Sequence, residues 1–269
     1  MTINREKWTT PFHESAFCFD WLCPKCGIGR PTRKKADNDS TVYTKLLFGP
    51  TSETHIEYRN RIECGDTLDD GRIDTEGLES RFTSIYICNN ENCLESFVVS
   101  GFVTVKRVID VYPECYDYRE RFNSCQPNYI APSPEIIPLR ADYPDTVKAE
   151  LRKAFIFSWG SFEESLNRIR SSIEALLDHF GEPNKSPDNR FIPLHYRIEN
   201  AKCFNADQKE KLTAIKILGN EGSHYGQNII RDDVFDALEI LDDVLDKLFS
   251  TNPSSMLAQK INAQKGPIR

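Results

Sequence analysis

Ile217-Leu218-Gly219-Asn220-Glu221-Gly222-Ser223-His224 is the stretch on which the reading of this chain turns. It places Asn220, Glu221, Ser223 and His224 close together between two segments of helical apolar periodicity. Polar residues at a helix–helix seam cost stability unless they are paired or put to use. The flanking segments therefore read as neighbours in an antiparallel bundle, with this stretch as their polar joint. Read structurally, Gly219 and Gly222 permit a tight turn there while Asn220 and His224 cap the adjoining helices.

Upstream, Asn205-Ala206-Asp207-Gln208 opens a helix whose inner face is Leu212, Ile215 and Leu218. Downstream, Asp232 to Phe249 repeats the pattern with Val234, Leu238, Leu241, Leu245 and Leu248. Earlier still, Ser161-Phe162-Glu163-Glu164 is a capping box. The helix it starts carries Leu166, Ile169, Ile173, Leu176, Leu177 and Phe180 on one face, and Gly181 and Pro183 stop it. A helix from Pro144-Asp145 to about Trp159 and a short one over Leu194–Lys202 complete the bundle. Arg170 falls between Leu166 and Ile173 on the face expected to be buried. Its guanidinium needs a partner, and Glu174 at i+4 is the nearest. Read functionally, Arg170 reaches Asn220 or His224 across the bundle and helps line a pocket with Glu174, Glu221 and Ser223.

The N-terminal half has a different texture. Trp21-Leu22-Cys23-Pro24-Lys25-Cys26-Gly27 has the form of a zinc knuckle, in which two thiolates grip one tetrahedral ion. Its partner is Ile87-Cys88-Asn89-Asn90-Glu91-Asn92-Cys93, with a wider spacing and a long insertion between the two. Such an insertion is tolerable because loop-closure cost grows only logarithmically with length. Cys23, Cys26, Cys88 and Cys93 are the expected ligands of a structural zinc, with Cys18 and Cys64 the alternatives for one position. Cys115, Cys125 and Cys203 read as ordinary thiols. Around the knuckles, Val42–Phe48, His55–Cys64, Phe82–Cys88 and Ser96–Val111 are rich in β-branched and aromatic residues and read as strands. Gly101, inside the last of these, marks a bulge or bend.

From Pro113 to Pro144 prolines recur at a density that argues against a regular helix or a central strand. The tyrosines among them argue against a free tether. The expected plan is α+β: a β-rich zinc-ribbon-like module over 1–112, a docked connector over 113–143, a helical domain over 144–250 and a flexible tail over 251–269.

The nine cysteines are an odd number, and Met1 to Lys7 lacks a signal-peptide apolar core, so the expectation is a cytoplasmic protein whose thiols bind metal. No apolar run is long enough to cross a bilayer. The net charge of −7 argues against broad, salt-driven binding to nucleic acid, although a local basic groove is compatible with it.

Arg170-Ser171-Ser172-Ile173-Glu174, followed by Leu218-Gly219-Asn220-Glu221-Gly222-Ser223-His224, resembles the bacterial family called domain of unknown function 4145 over roughly Pro138 to Phe249. That family is similar to the HEPN helical bundles, many of them metal-independent ribonucleases of toxin and phage-defence systems, often with both chains of a dimer forming the site. The resemblance implies that Asn220 and His224 occupy the corresponding places, and that Gly219 stands where the catalytic arginine belongs. Two functions follow as expectations. One is a non-catalytic recognition or regulatory homodimer, binding nucleic acid or a protein partner in a defence-type system, with an antitoxin-like inhibitor as a variant of it. The other is a ribonuclease with His224 moving the proton, Arg170 stabilising the phosphorane and Asn220 orienting the substrate.

Overall fold

A computed structural model of the chain describes residues 2–13, 19–33, 47–65, 76–110, 118–221 and 229–249. The fold is α+β, as expected. It divides into two compact units: Asn4–Glu135 with Arg152–Ser165, and Met1–Ile3 with Ile136–Leu151 and Leu166–Arg269.

The first unit is organised on an antiparallel sheet. Strands β1 (Phe12–His13), β2 (Pro31–Thr32), β3 (Leu47–Pro50), β4 (Glu79–Cys88), β5 (Ser96–Asp110) and β6 (Tyr118–Ala131) pair in the order β1-β6-β5-β4-β2, with β3 also on β4. The two-residue alternation of β4 buries Phe82, Ser84 and Tyr86 and leaves Thr83 and Ile85 outside. Phe97, Val99 and Val103 of β5 are buried with them. Aromatic rings cover this face. Phe12 meets Phe82 at 5.6 Å, Phe19 meets Tyr86 at 4.5 Å, and Trp21 stacks on Phe19 at 4.2 Å. Trp8, from the short helix α1 (Arg5–Thr9), and Trp159 close the cluster, each within 6.0 Å of another indole. Such pairs add about 0.5–1.5 kcal/mol each beyond the area they bury.

Two elements differ from the sequence expectation. His55–Cys64, expected as a strand, lies in helix α2 (Ser52–Cys64). Its ends explain why. Thr51 accepts the Thr54 N–H at 3.1 Å as an N-cap, and Gly65 closes the helix in the left-handed region at φ 69°. Glu57 and Arg61 pair one turn apart within it. These local helix signals outweigh the β-propensity of Ile56, Tyr58 and Ile62.

The second difference is β6, a central strand running through the proline-rich stretch. Ser100 opposes Tyr129 whereas Gly101 opposes Pro127, so Asn128 is an extra residue and the register shifts there. Proline lacks a ladder donor and is tolerated in a sheet at such bulges. Gly101, read from sequence as a bulge or bend, sits directly opposite.

Five longer helices follow: α3 (Asp145–Phe157), α4 (Phe162–His179), α5 (Leu194–Asn200), α6 (Ala206–Glu221) and α7 (Arg231–Phe249). The second unit takes its core from their expected apolar faces. Leu166, Ile169, Ile173, Leu176, Leu177, Leu212, Ile215, Val234, Leu238, Leu241 and Leu245 are fully buried. Phe180 is not: it lies past the end of α4, 38% exposed, beside Phe204 and Phe249, and Leu218 and Leu248, also expected on inner faces, are half-buried. Arg197 is buried and binds Asp178 Oδ1 at 2.5 Å and the carbonyls of Glu182 and Pro183 at 3.1 Å. It fixes the loop that follows α4.

The α6 N-terminus is a reciprocal cap. Asn205 Oδ1 accepts the Gln208 N–H at 2.9 Å, and Gln208 Oε1 accepts the Asn205 N–H at 2.9 Å. Asn205→Ala removes the acceptor of the Gln208 N–H and leaves the backbone N–H at 205 on Gln208 Oε1, so a loss of about 1 kcal/mol is expected in chemical denaturation. An unchanged midpoint would mean that solvent satisfies this end equally well.

Candidate functional site

Cys23, Cys26, Cys88 and Cys93 present their sulfurs within 4.8 Å of one another. Cys23 and Cys93 Sγ are 3.8 Å apart, and Cys26 and Cys88 Sγ are 3.7 Å apart. A tetrahedral ion with bonds of about 2.3 Å to sulfur sets its ligands about 3.8 Å apart, so the spacing fits one metal. It is far too long for disulfides, whose bond is about 2.05 Å.

Backbone geometry delivers these four thiols from two places. Cys88 ends β4, opposite Pro31 of β2, and the turn beyond it carries Cys93. That turn is held by the Cys93 and Leu94 N–H groups on the Asn90 carbonyl, with Leu94 in the left-handed region at φ 49°. On the other side, Cys23 N–H bonds the Gly29 carbonyl at 2.7 Å and Gly27 N–H bonds the Cys23 carbonyl at 2.8 Å. Gly27 adopts φ 66°, the freedom expected of the knuckle glycine. Gly29, which sequence reasoning passed over, is equally constrained. A β-carbon there would stand 2.4 Å from Cys88 Sγ, and its N–H donates to Cys26 Sγ at 3.3 Å. Its signal was only that a second glycine follows the Cys-x-x-Cys-Gly pattern two residues on.

Electrostatics divide the thiols. Backbone N–H groups of Gly29 and Ile28 favour the thiolate of Cys26 and bring its pKa down to about 6. Burial pushes Cys88 up to about 12 and also raises Cys23. At neutral pH Cys26 of the metal-free site is therefore a thiolate while Cys23 and Cys88 hold protons that a metal must displace. Affinity should fall as pH falls, by at least roughly a hundredfold per unit between pH 8 and 7 for the protons of Cys23 and Cys88. Competition with a metallochromic chelator across that range measures the slope, and a pH-independent affinity would contradict the thiol assignment.

Of the alternative ligands, Cys64 is exposed and outside the cluster, and Cys18 lies outside the described residues. Cys125 is buried. The Cys203 thiol, expected to be an ordinary one, is pushed up to about 11 mainly by burial. Cys115 lies outside the described residues.

In the helical unit, Arg170 Nη2 stands 3.6 Å from Glu174 Oε1, the pair expected from their spacing. The pair is only half-buried, and Arg170 Nε is buried with no hydrogen-bond partner among the described residues. Gly219 does not form a turn. It is buried inside α6, and a β-carbon on it would meet Arg170 Cβ at 3.4 Å and Cδ at 3.5 Å. These are ordinary van der Waals distances, so α6 lies against the Arg170 side chain with room for a methyl group at this position. Asn220 and Glu221 complete α6, but their side chains, and the whole of Ser223 and His224, lie outside the described residues. Residues 152–264 match the family model described as Domain of unknown function (DUF4145). The matched segment includes Arg170, Glu174, Gly219, Asn220 and His224, the residues that carry the resemblance. No curated protein and no solved structure matches the chain. No described helix is long and apolar enough to cross a membrane.

Proposed function

We propose that the chain is a non-catalytic recognition or regulatory protein. Its four cysteines hold a structural zinc in a ribbon-like module, and its DUF4145 segment is a HEPN-like bundle that dimerises. Zinc coordinated by four thiolates closes the fold locally and leaves no position for water or substrate. The observation that carries the non-catalytic reading is Gly219. The place where a HEPN nuclease has its arginine is a glycine packed against Arg170, and Arg170 already faces Glu174. Glu174 offsets the charge of Arg170, and the stretch from Ile217 to His224 carries no lysine or arginine to add a second cation for a phosphate. Recognition of nucleic acid or a protein partner, in a cytoplasmic defence-type system, is then the role that the zinc module's surface serves.

One observation favours the ribonuclease reading. The Arg170 side chain stands against Gly219, close to the vacated arginine position, with Nε unpartnered. Incubating the protein with a mixed RNA pool in EDTA, wild type beside His224→Ala, separates the two. No cleavage by either protein is expected. Cleavage by wild type alone would replace the recognition reading with a metal-independent ribonuclease using His224, Arg170 and Asn220.

A further inference from the structure

The loop after α4 and helix α5 enclose a cavity of 750 Å³ that neither function above uses. Phe180, Pro183, Ile192 and Tyr196 give it apolar walls, and Arg197, Asn200 and Lys202 give it polar ones. Its volume lies within the range of small-molecule sites.

Arg197 decides its chemistry. The side chain is 5% exposed, with Nε and Nη2 committed to the Pro183 and Glu182 carbonyls and to Asp178. Among the described residues no acceptor meets Nη1, and that atom is not sealed from solvent. Three fixed bonds hold the guanidinium in place, so the remaining donors are pre-organised for an acceptor that enters the cavity. Lys202, exposed on the same wall, adds a second cation. Glu182 is the one carboxylate in the lining, and its Oε1 is taken by the Lys202 and Cys203 N–H groups at 2.6 and 3.3 Å. Tyr196 and Phe180 stay 52% and 38% exposed, a large aromatic area for a surface that serves only to cover a core. Cys203 in the wall stays a neutral thiol, so the cavity is built for binding and not for thiol chemistry.

We infer that this cavity binds a small organic anion: an acid group on Arg197 Nη1 and Lys202, and an aromatic body of one or two rings against Tyr196 and Phe180. This goes beyond the recognition reading and does not depend on zinc or on His224.

The test uses the full chain and naphthalene-2-carboxylate, with naphthalene-2-carboxamide as its neutral match, titrated by NMR chemical-shift mapping. The carboxylate should bind about tenfold more tightly than the amide and shift the resonances of Tyr196, Arg197 and Lys202. Lys202→Gln and Tyr196→Ser are surface changes that leave the core intact. Lys202→Gln should erase most of the preference for the acid, and Tyr196→Ser should weaken both compounds. Equal affinity for acid and amide, shifts elsewhere on the protein, or indifference to both substitutions would overturn the assignment. Arg197→Lys is a further check if it folds: it keeps the charge but loses the forked donors, and should lower acid affinity severalfold.

Discussion

Cys23→Ser is expected to abolish metal retention and to lower the stability of the sheet unit by roughly 3–5 kcal/mol or more. The sulfur is completely buried, and serine is a poor ligand for a soft site. Once one corner of the tetrahedron is gone, the Cys23–Gly29 turn stays tied to the end of β4 by weaker contacts, the reciprocal Arg30–Asn89 hydrogen bonds at 2.8 and 3.0 Å and the Lys25–Glu95 ion pair at 2.8 Å. The chain's three tryptophans, Trp8, Trp21 and Trp159, all belong to that unit, so their emission reports on it alone. A wild-type protein carrying one metal per chain by elemental analysis, and a variant with none and red-shifted emission at lower denaturant, is the expected outcome. Helical ellipticity should persist beyond that first transition. Cys64→Ser serves as the control, since that thiol is exposed and apart from the cluster. If chelation left the tryptophan transition of the wild type unmoved, the metal would have no structural role.

The second large effect is expected from one methyl group. In Gly101→Ala the new β-carbon would lie 2.1 Å from the Gln126 carbonyl oxygen and 2.8 Å from Pro127 Cα, both backbone atoms of β6. No rotamer relieves such a contact. The strand must move, and the bulge that accommodates Pro127 moves with it. A loss of about 3 kcal/mol is expected, at the upper end of what overpacking usually costs. Gly49→Ala in β3 is the matched control, because a methyl group there would enter open space, with nothing within 4 Å. That change should stay within about 0.5 kcal/mol. Equal midpoints for the two variants by tryptophan emission would show that β6 yields freely at Gln126.

The helices were legible because their apolar residues recur at the helical period and their ends carry caps. Asn205 with Gln208 is the clearest example. The cysteine pairs were legible because thiols are scarce and their chemistry narrow. Two kinds of feature escaped. Ile56, Tyr58 and Ile62 look like strand residues one by one, and only the caps at Thr51 and Gly65 reveal a helix. Pro127 looks like a breaker until its partner Gly101 is known, and that pairing is a long-range fact. The same applies to Gly219, which lies inside α6 against Arg170 where a turn was expected. Local signals thus gave the elements, while residues constrained by distant neighbours were visible only once the chain was folded.

The interleaving of the two units sets an order on synthesis. Trp8 and Trp21 leave the ribosome well before Trp159, the ring that completes their cluster, which follows more than half the chain later. Until then a nascent chain lacks the ring that closes over those two indoles, and closing so long a loop is slow. An expression fragment cut at the end of the sheet, near residue 135, would be stranded at that stage and prone to aggregate. Extending it through residue 165 restores the missing segment, although the cut then falls in the first turn of α4.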